Sequence, residues 1–142
     1  MQKRILVSYA HPDDESFGLG PLIAKYTAEG AEVTLICATN GDVGSVSQEL
    51  LDKYGSVAAI RLDELDCAAQ VLGLKEVIKF GYRDSGMMGS ADNNHADSLW
   101  QAPLDTVAHQ IVEVIQRIEC FFGKRFGAFE LQRIFRFHRV FS

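Results

Sequence analysis

An α/β domain, a parallel sheet flanked by helices, is predicted by three observations. Short apolar or β-branched runs alternate with longer stretches of helical periodicity, glycines close the helical stretches, and polar loops follow the apolar runs. Strands that alternate with helices need crossover connections, and these are right-handed and pair the strands in parallel.

Each element can be justified in order. Arg4–Ala10 is apolar enough for a buried strand. Leu19, Leu22, Ile23 and Tyr26 follow at helical spacing, with Gly30 as the stop. Val33–Ala38 is a second strand, and the small polar segment Thr39–Val46, with Gly41 and Gly44, is a loop. One long helix is predicted from Gln48 to Leu72, with Leu51, Tyr54, Ala58, Leu62, Leu65, Ala69 and Leu72 on a broad apolar face and Gly73 closing it. Glu76–Phe80 is a third strand. The polar stretch Gly81–Pro103 is long enough that function or disorder is expected of it. Leu104, Val107, Ala108, Ile111, Val112, Ile115 and Ile118 then mark the clearest amphipathic helix.

Composition narrows the function classes. At 142 residues and 47% hydrophobic content the chain suits one globular domain. A net charge of −5 argues against general nucleic-acid binding, which presents a basic face. The apolar run behind Lys3 and Arg4 is too short for a signal peptide or a membrane span. Cys37, Cys67 and Cys120 are odd in number and form no Cys-x-x-Cys, which predicts buried thiols in a reduced, cytoplasmic chain.

The chemistry concentrates in His11-Pro12-Asp13-Asp14-Glu15, directly behind the first strand. Open α/β sheets bind ligands at the carboxyl ends of their strands. Pro12 is suited to open a helix at its first position, which would leave His11 at the cap. His11 and Asp14, three residues apart, would then turn toward one point as metal ligands, with Asp13 directed elsewhere as a base. Acids in a first turn also complement the helix dipole, by about 0.3–1 kcal/mol each. That accounts for Asp13, Asp14 or Glu15 singly but not for a histidine at a cap, where Ser, Thr, Asp or Asn is better.

Ala10-His11-Pro12-Asp13-Asp14-Glu15 resembles the opening motif of the LmbE-like, or PIG-L, family of zinc-dependent N-deacetylases. Cys37-Ala38-Thr39-Asn40-Gly41-Asp42 is similar to the family's loop after its second strand, Arg61-Leu62-Asp63-Glu64-Leu65 to its Arg-x-x-Glu helix, and Tyr82-Arg83-Asp84-Ser85-Gly86-Met87 to its loop after the third strand. The resemblance runs from about residue 3 to residue 118. It implies a Rossmann-like fold and hydrolysis of the N-acetyl group of an amino sugar or similar conjugate. By position it makes His11 and Asp14 zinc ligands, with other divalent ions as competitors, and Asp13 the general base. It makes Arg61 a substrate-holding residue and places Asp84 in the pocket wall. The family adds a histidine from a Gly-His-Pro-Asp-His-like segment that this sequence lacks; His95, His109 and His138 stand in other contexts. A C-terminally incomplete domain with a missing or replaced third ligand is therefore expected, and open sheet edges predict self-association.

Other residues have plainer readings beside functional ones. Asn40, Asp42 and Ser45 suit either substrate contact or turn formation. Arg61 read alone is a surface ion-pair residue. Arg83 and Asp84 suit a structural salt bridge as well as substrate contact, and Gly18-Leu19-Gly20 is too short for a phosphate loop. Met87 and Met88 are expected to fill packing gaps, Trp100 to anchor its loop, and His109 to be satisfied on its helix. His95 is expected near the site mouth.

Residues 119–142 differ from the rest. They hold seven of the nine phenylalanines and a charge of +3 against −8 for residues 1–118. This Phe-rich basic tail suits a docking helix, a lineage-specific terminus, or a peptide produced by loss of the reading frame near residue 119; the last is the reading favoured here. Two rivals to deacetylation follow: a non-catalytic fragment or binding module using the tail, and a metal-dependent phosphoesterase.

Overall fold

Three strands form one parallel sheet in the order β1-β2-β3 in a computed structural model that describes residues 2–118. β1 is Arg4–Tyr9, β2 Glu32–Thr39 and β3 Glu76–Tyr82, within two residues of the predicted limits. The register sets Ile5 beside Val33 and Val7 beside Leu35, and across the other side of β2 it sets Leu35 beside Val77. β2 is central, and seven of its eight residues are buried. That is why its sequence is nearly continuously apolar instead of alternating.

The helices follow the strands as predicted. α1 (Asp14–Phe17) and α2 (Gly20–Ala28) lie between β1 and β2, α4 (Val57–Leu72) precedes β3, and α5 (Leu104–Arg117) comes last. Leu65 of α4 packs on Leu35 and Cys37 of β2, joined by Val7, Tyr9, Leu62, Leu74 and Val77. The Thr27 hydroxyl donates to the carbonyl of Leu72, tying α2 to the end of α4. α5 is held to β3 by a hydrogen bond of 2.9 Å between Tyr82 and Gln110 and by Arg117 on Glu76.

The single helix expected over Gln48–Leu72 is two. α3 (Gln48–Tyr54) ends at Gly55, which takes φ 81°, and Ser56 starts α4 by accepting from the Ala59 N–H at 3.1 Å. A glycine that stops one helix and a serine that caps the next overrode an apolar stripe that runs through both.

Gly81–Pro103 is ordered despite its length. It contains a 3₁₀ turn over Ala91–Asn94 and a short bridge between Arg83 and Ser98. Buried Asn93 holds it, donating to the carbonyls of Ser85 and Met87 and accepting from the Gly89 N–H at 2.8 Å. Met87 and Met88 do not fill gaps: they are 84% and 87% exposed, because hydrogen bonds and not apolar packing organise this loop. Trp100 is likewise exposed and is held through its backbone N–H on Ser85. Cys37 is buried as expected, but Cys67 is exposed on α4. Cys120, His138 and the Phe-rich tail lie outside the described residues. Among the described residues no helix is long and apolar enough to cross a membrane.

Candidate active site at the carboxyl ends of the strands

Backbone pairing brings the three strand ends together. The N–H and hydroxyl of Thr39 both donate to the carbonyl of Ala10, and the Asn40 N–H donates to Tyr82. The loops that begin at His11, Asn40 and Arg83 therefore leave the sheet side by side, where an open α/β sheet places its ligand crevice.

The turn after β1 departs from the expected cap. Pro12 does not open a helix with His11 capping it; α1 starts at Asp14 and Asp13 is the N-cap residue. Asp13 has φ 105° and ψ −27°, and among the described residues no other non-glycine residue has a positive φ. A backbone of this kind costs about 1–3 kcal/mol and persists only where its surroundings impose it. Several groups do so here. The Asp13 carbonyl accepts from the N–H groups of Ser16 and Phe17 at 2.9 and 3.0 Å, and the Asp13 N–H donates to Glu15 Oε2 at 3.0 Å. Arg61, from α4, donates through Nη2 to the Pro12 carbonyl and, at 2.6 Å, to Asp13 Oδ2. Gly41 keeps this contact open, since a Cβ there would lie 3.3 Å from Pro12 and 3.5 Å from Arg61.

His11 stands between two carboxylates. Its Nδ1 is 3.5 Å from Asp14 Oδ2 and its Nε2 is 3.4 Å from Asp84 Oδ1. Asp84 is nearly buried and fixed, its N–H donating to Asp42 and its Oδ1 accepting from the Gly86 N–H. Arg83 turns away from Asp84 and pairs instead with Asp92 at 2.8 Å, a hydrogen bond that raises its pKa above the ordinary arginine value. Beneath the turn, burial and the nearby Asp14 and Glu15 raise the Tyr9 pKa, and burial with Glu15 pushes the Cys37 thiol up to about 12.

The donor chemistry fits a divalent cation in part. Zinc holds nitrogen and oxygen ligands at about 2.0–2.2 Å in tetrahedral sites, so neighbouring ligand atoms stand about 3.4 Å apart. The separations from His11 to Asp14 and to Asp84 both match that spacing and exceed an ordinary hydrogen bond. A carboxylate on the opposite ring nitrogen, here Asp84, is how metal-ligating imidazoles are oriented. His11 and Asp14 make two donors; among the described residues no group of three or more His, Cys, Asp or Glu side chains is arranged to hold an ion. His95 is exposed and accepts from the Asp97 N–H, while His109 is satisfied on its own helix by the Asp105 carbonyl.

The predicted site residues therefore converge: His11, Asp13 and Asp14 from one turn, Arg61 from α4 and Asp84 from the loop after β3. Asn40 serves the turn, its side chain donating to the Gly81 carbonyl, and Ser45 is exposed. Asp42 acts through the Asp84 backbone. Glu15, read from sequence only as a helix-dipole acid, is instead fully buried with both carboxylate oxygens engaged.

Residues 6–121 match the family model PIG-L, described as GlcNAc-PI de-N-acetylase. The chain is a member of the PIG-L family. Its relatives include the 1D-myo-inositol 2-acetamido-2-deoxy-alpha-D-glucopyranoside deacetylases of Thermobifida fusca and Acidothermus cellulolyticus. Both are 39% identical, over 125 and 127 residues, covering 82% and 83% of this chain. The alignments cover 44% of either relative, so this PIG-L chain spans under half their length. Among solved structures, the N,N′-diacetylchitobiose deacetylase of Pyrococcus horikoshii superposes with a TM-score of 0.61 at 28% identity, covering 81% of this chain and 37% of that one. The 4-carboxy-2-hydroxymuconate hydratase of Pseudomonas putida superposes with a TM-score of 0.59 at 26% identity, over 82% and 44%. The fold is thus shared with proteins named as a deacetylase and as a hydratase.

Proposed function

We propose that this site hydrolyses the acetamide of an N-acetylglucosamine conjugate, of the glucosaminyl-inositol kind named for the curated relatives. One observation carries the reading: His11, Asp13, Asp14, Arg61 and Asp84 converge at the strand ends of a PIG-L fold. His11 and Asp14 are the residues that would hold zinc, or another divalent ion suited to nitrogen and oxygen donors. Such an ion, when bound, supplies Lewis acidity to the amide carbonyl and acidifies water. Asp13 takes the proton of the attacking water at Oδ1, while Arg61 holds Oδ2. The same carboxyl then returns the proton to the departing amine, leaving acetate and a free amino sugar. Arg61 joins base to substrate, its partly exposed guanidinium edge meeting a sugar hydroxyl. Asp84 steadies the imidazole and walls the pocket.

Zinc content and acetate release, measured on the 142-residue chain beside a His11→Ala/Asp14→Ala variant, test this. Stoichiometric zinc and acetate release, both lost in the variant, are expected, and would mean that a third ligand is supplied from outside the described residues. Equal zinc in both proteins would remove His11 and Asp14 as ligands. Hydrolysis of a generic phosphate ester without acetate release would assign the site to phosphoryl transfer instead.

A further inference from the structure

We infer that Glu15 is a positioning residue that holds Asp13 in its left-handed backbone conformation and so aims the carboxylate assigned above as the base. The inference rests on that assignment for its catalytic meaning, and on geometry alone for its structural part. Glu15 is 1% exposed. Its Oε2 accepts from the Asp13 N–H at 3.0 Å and its Oε1 from the Ser16 hydroxyl at 2.7 Å. Asp13 is thereby gripped twice by side chains: Arg61 holds its carboxylate, and Glu15 holds its backbone N–H.

The two grips are not equivalent. Arg61 holds one carboxylate oxygen and, through the Pro12 carbonyl, the upstream side of the Pro12–Asp13 peptide, but it makes no contact with the Asp13 N–H. The bond to Glu15 ties the Asp13 N–H to a side chain two residues downstream, and it is made with Asp13 at φ 105°. Without that acceptor the Pro12–Asp13 peptide keeps only the Arg61 contact at its carbonyl, and Asp13 can relax toward the ordinary φ < 0 regions, which swings the carboxylate off its position. A buried carboxylate that merely filled space or satisfied Ser16 would show no dependence on the residue at position 13.

That dependence is the test. Glycine adopts a positive φ without strain, so Asp13→Gly removes the need for a hold while leaving Glu15 intact. Denaturant unfolding of the full chain is compared for wild type, Glu15→Ala, Asp13→Gly and Asp13→Gly/Glu15→Ala, with Asp13 amide hydrogen exchange read in the chains that keep Asp13. Expected is coupling between the two positions: Glu15→Ala lowers the unfolding midpoint less when residue 13 is glycine. Asp13 amide exchange should accelerate at least tenfold in Glu15→Ala. Glu15→Gln should recover most of that protection, because its carbonyl accepts from Asp13 while its amide donates to Ser16. Equal midpoint losses in both backgrounds, unchanged exchange, or a Glu15→Ala chain that stays unfolded when position 13 is glycine would each overturn the inference. In the acetate-release assay, Glu15→Ala should lower kcat at least tenfold with KM unchanged, and cause no further loss in an Asp13→Asn background. If Asp13→Asn keeps full activity while the coupling is present, the assignment of Asp13 as base fails and the structural hold stands.

Discussion

The two ends of the same three strands treat charge in opposite ways. At the amino ends, Glu32 accepts from Lys75 at 2.6 Å with Arg4 at 3.6 Å, and Glu76 pairs with Arg117 at 2.9 Å. Both acids there are paired, with three bases around an open cleft whose walls they line. At the carboxyl ends, Asp13, Asp14, Glu15, Asp42 and Asp84 lie close together, with Arg61, Arg83 and the His11 imidazole as their basic neighbours. A protein built only for stability has no reason to collect carboxylates around one imidazole, since like charges in proximity cost free energy. That surplus supports the site proposed at the carboxyl end.

The largest expected effect breaks the carboxyl end alone. Asp13→Asn removes the proton acceptor, and positioned acid–base groups contribute about 10²–10⁴-fold to rate. The acetate-release rate should fall by that factor while zinc content holds. Lys75→Gln, at the amino end, should leave the rate unchanged. Comparable losses in the two variants would erase the distinction between the ends.

Next in size is the loop that carries Asp84. Asn93→Ala removes the hydrogen bonds to the carbonyls of Ser85 and Met87, which keep the Ser90 hydroxyl and N–H as donors, and takes the acceptor from the Gly89 N–H, a combined loss of about 1–3 kcal/mol. Urea unfolding should show a loss in that range or somewhat above it, together with faster proteolysis between residues 85 and 101. A change below about 0.5 kcal/mol would be an ordinary surface effect and would mean that the loop does not depend on Asn93.

How far the sequence revealed all this depends on the range of the interaction. The strands were legible because apolar and β-branched runs pair into a sheet, although only β2 is buried along its length, and His11, Asp13 and Asp14 were legible because they lie within four residues. The Arg61–Asp13 contact spans 48 residues and only the fold creates it. The positive φ of Asp13 was invisible for a related reason: no local preference produces it, and it exists because Glu15, Arg61 and the start of α1 impose it together. Pro12 misled for the same cause, its suitability for a first helical turn being outweighed by that network. The break after Tyr54 was written in Gly55-Ser56, yet an apolar stripe continuing through it hid the signal. Met87, Met88 and Trp100 were misread because apolar residues were assumed to organise the loop, where hydrogen bonds centred on Asn93 do so.

A smaller effect reaches the core under the carboxyl end. Burial, with Glu15 adding to it, raises the Cys37 thiol from its ordinary 9.0 to about 12. The folded state thus favours the neutral thiol. Its contribution is present in full below pH 9 and is lost as pH rises through 12, at no more than about 1.4 kcal/mol per pH unit. Tyr9 shifts in the same direction, raised by burial and by Asp14 and Glu15. Urea midpoints taken from pH 8 to pH 11 should fall less steeply in Cys37→Ala than in wild type; identical slopes would show that the thiol does not report on the buried carboxylate.

The smallest effect belongs to the amino end and carries the opposite sign. The hydrogen bond from Lys75 holds Glu32 below its ordinary 4.5, with burial opposing it and the charges of Lys75 and Arg4 assisting. A depressed carboxylate stabilises the fold above its unfolded pKa, and that contribution disappears as pH falls through the folded value. Glu32→Gln should therefore flatten the acid limb of the stability curve below pH 4.5 and leave the alkaline limb untouched. Because Lys75 and Arg4 are exposed, the difference should vanish in 1 M salt, where the screening length is about 3 Å. The coupling of Asp13 to Arg61 has a better-shielded partner and a backbone carbonyl sharing the same guanidinium, so it should survive that salt. Equal salt sensitivity at the two ends would mean that both are ordinary surface ion pairs, and the carboxyl-end cluster would lose its distinction as a pre-formed site.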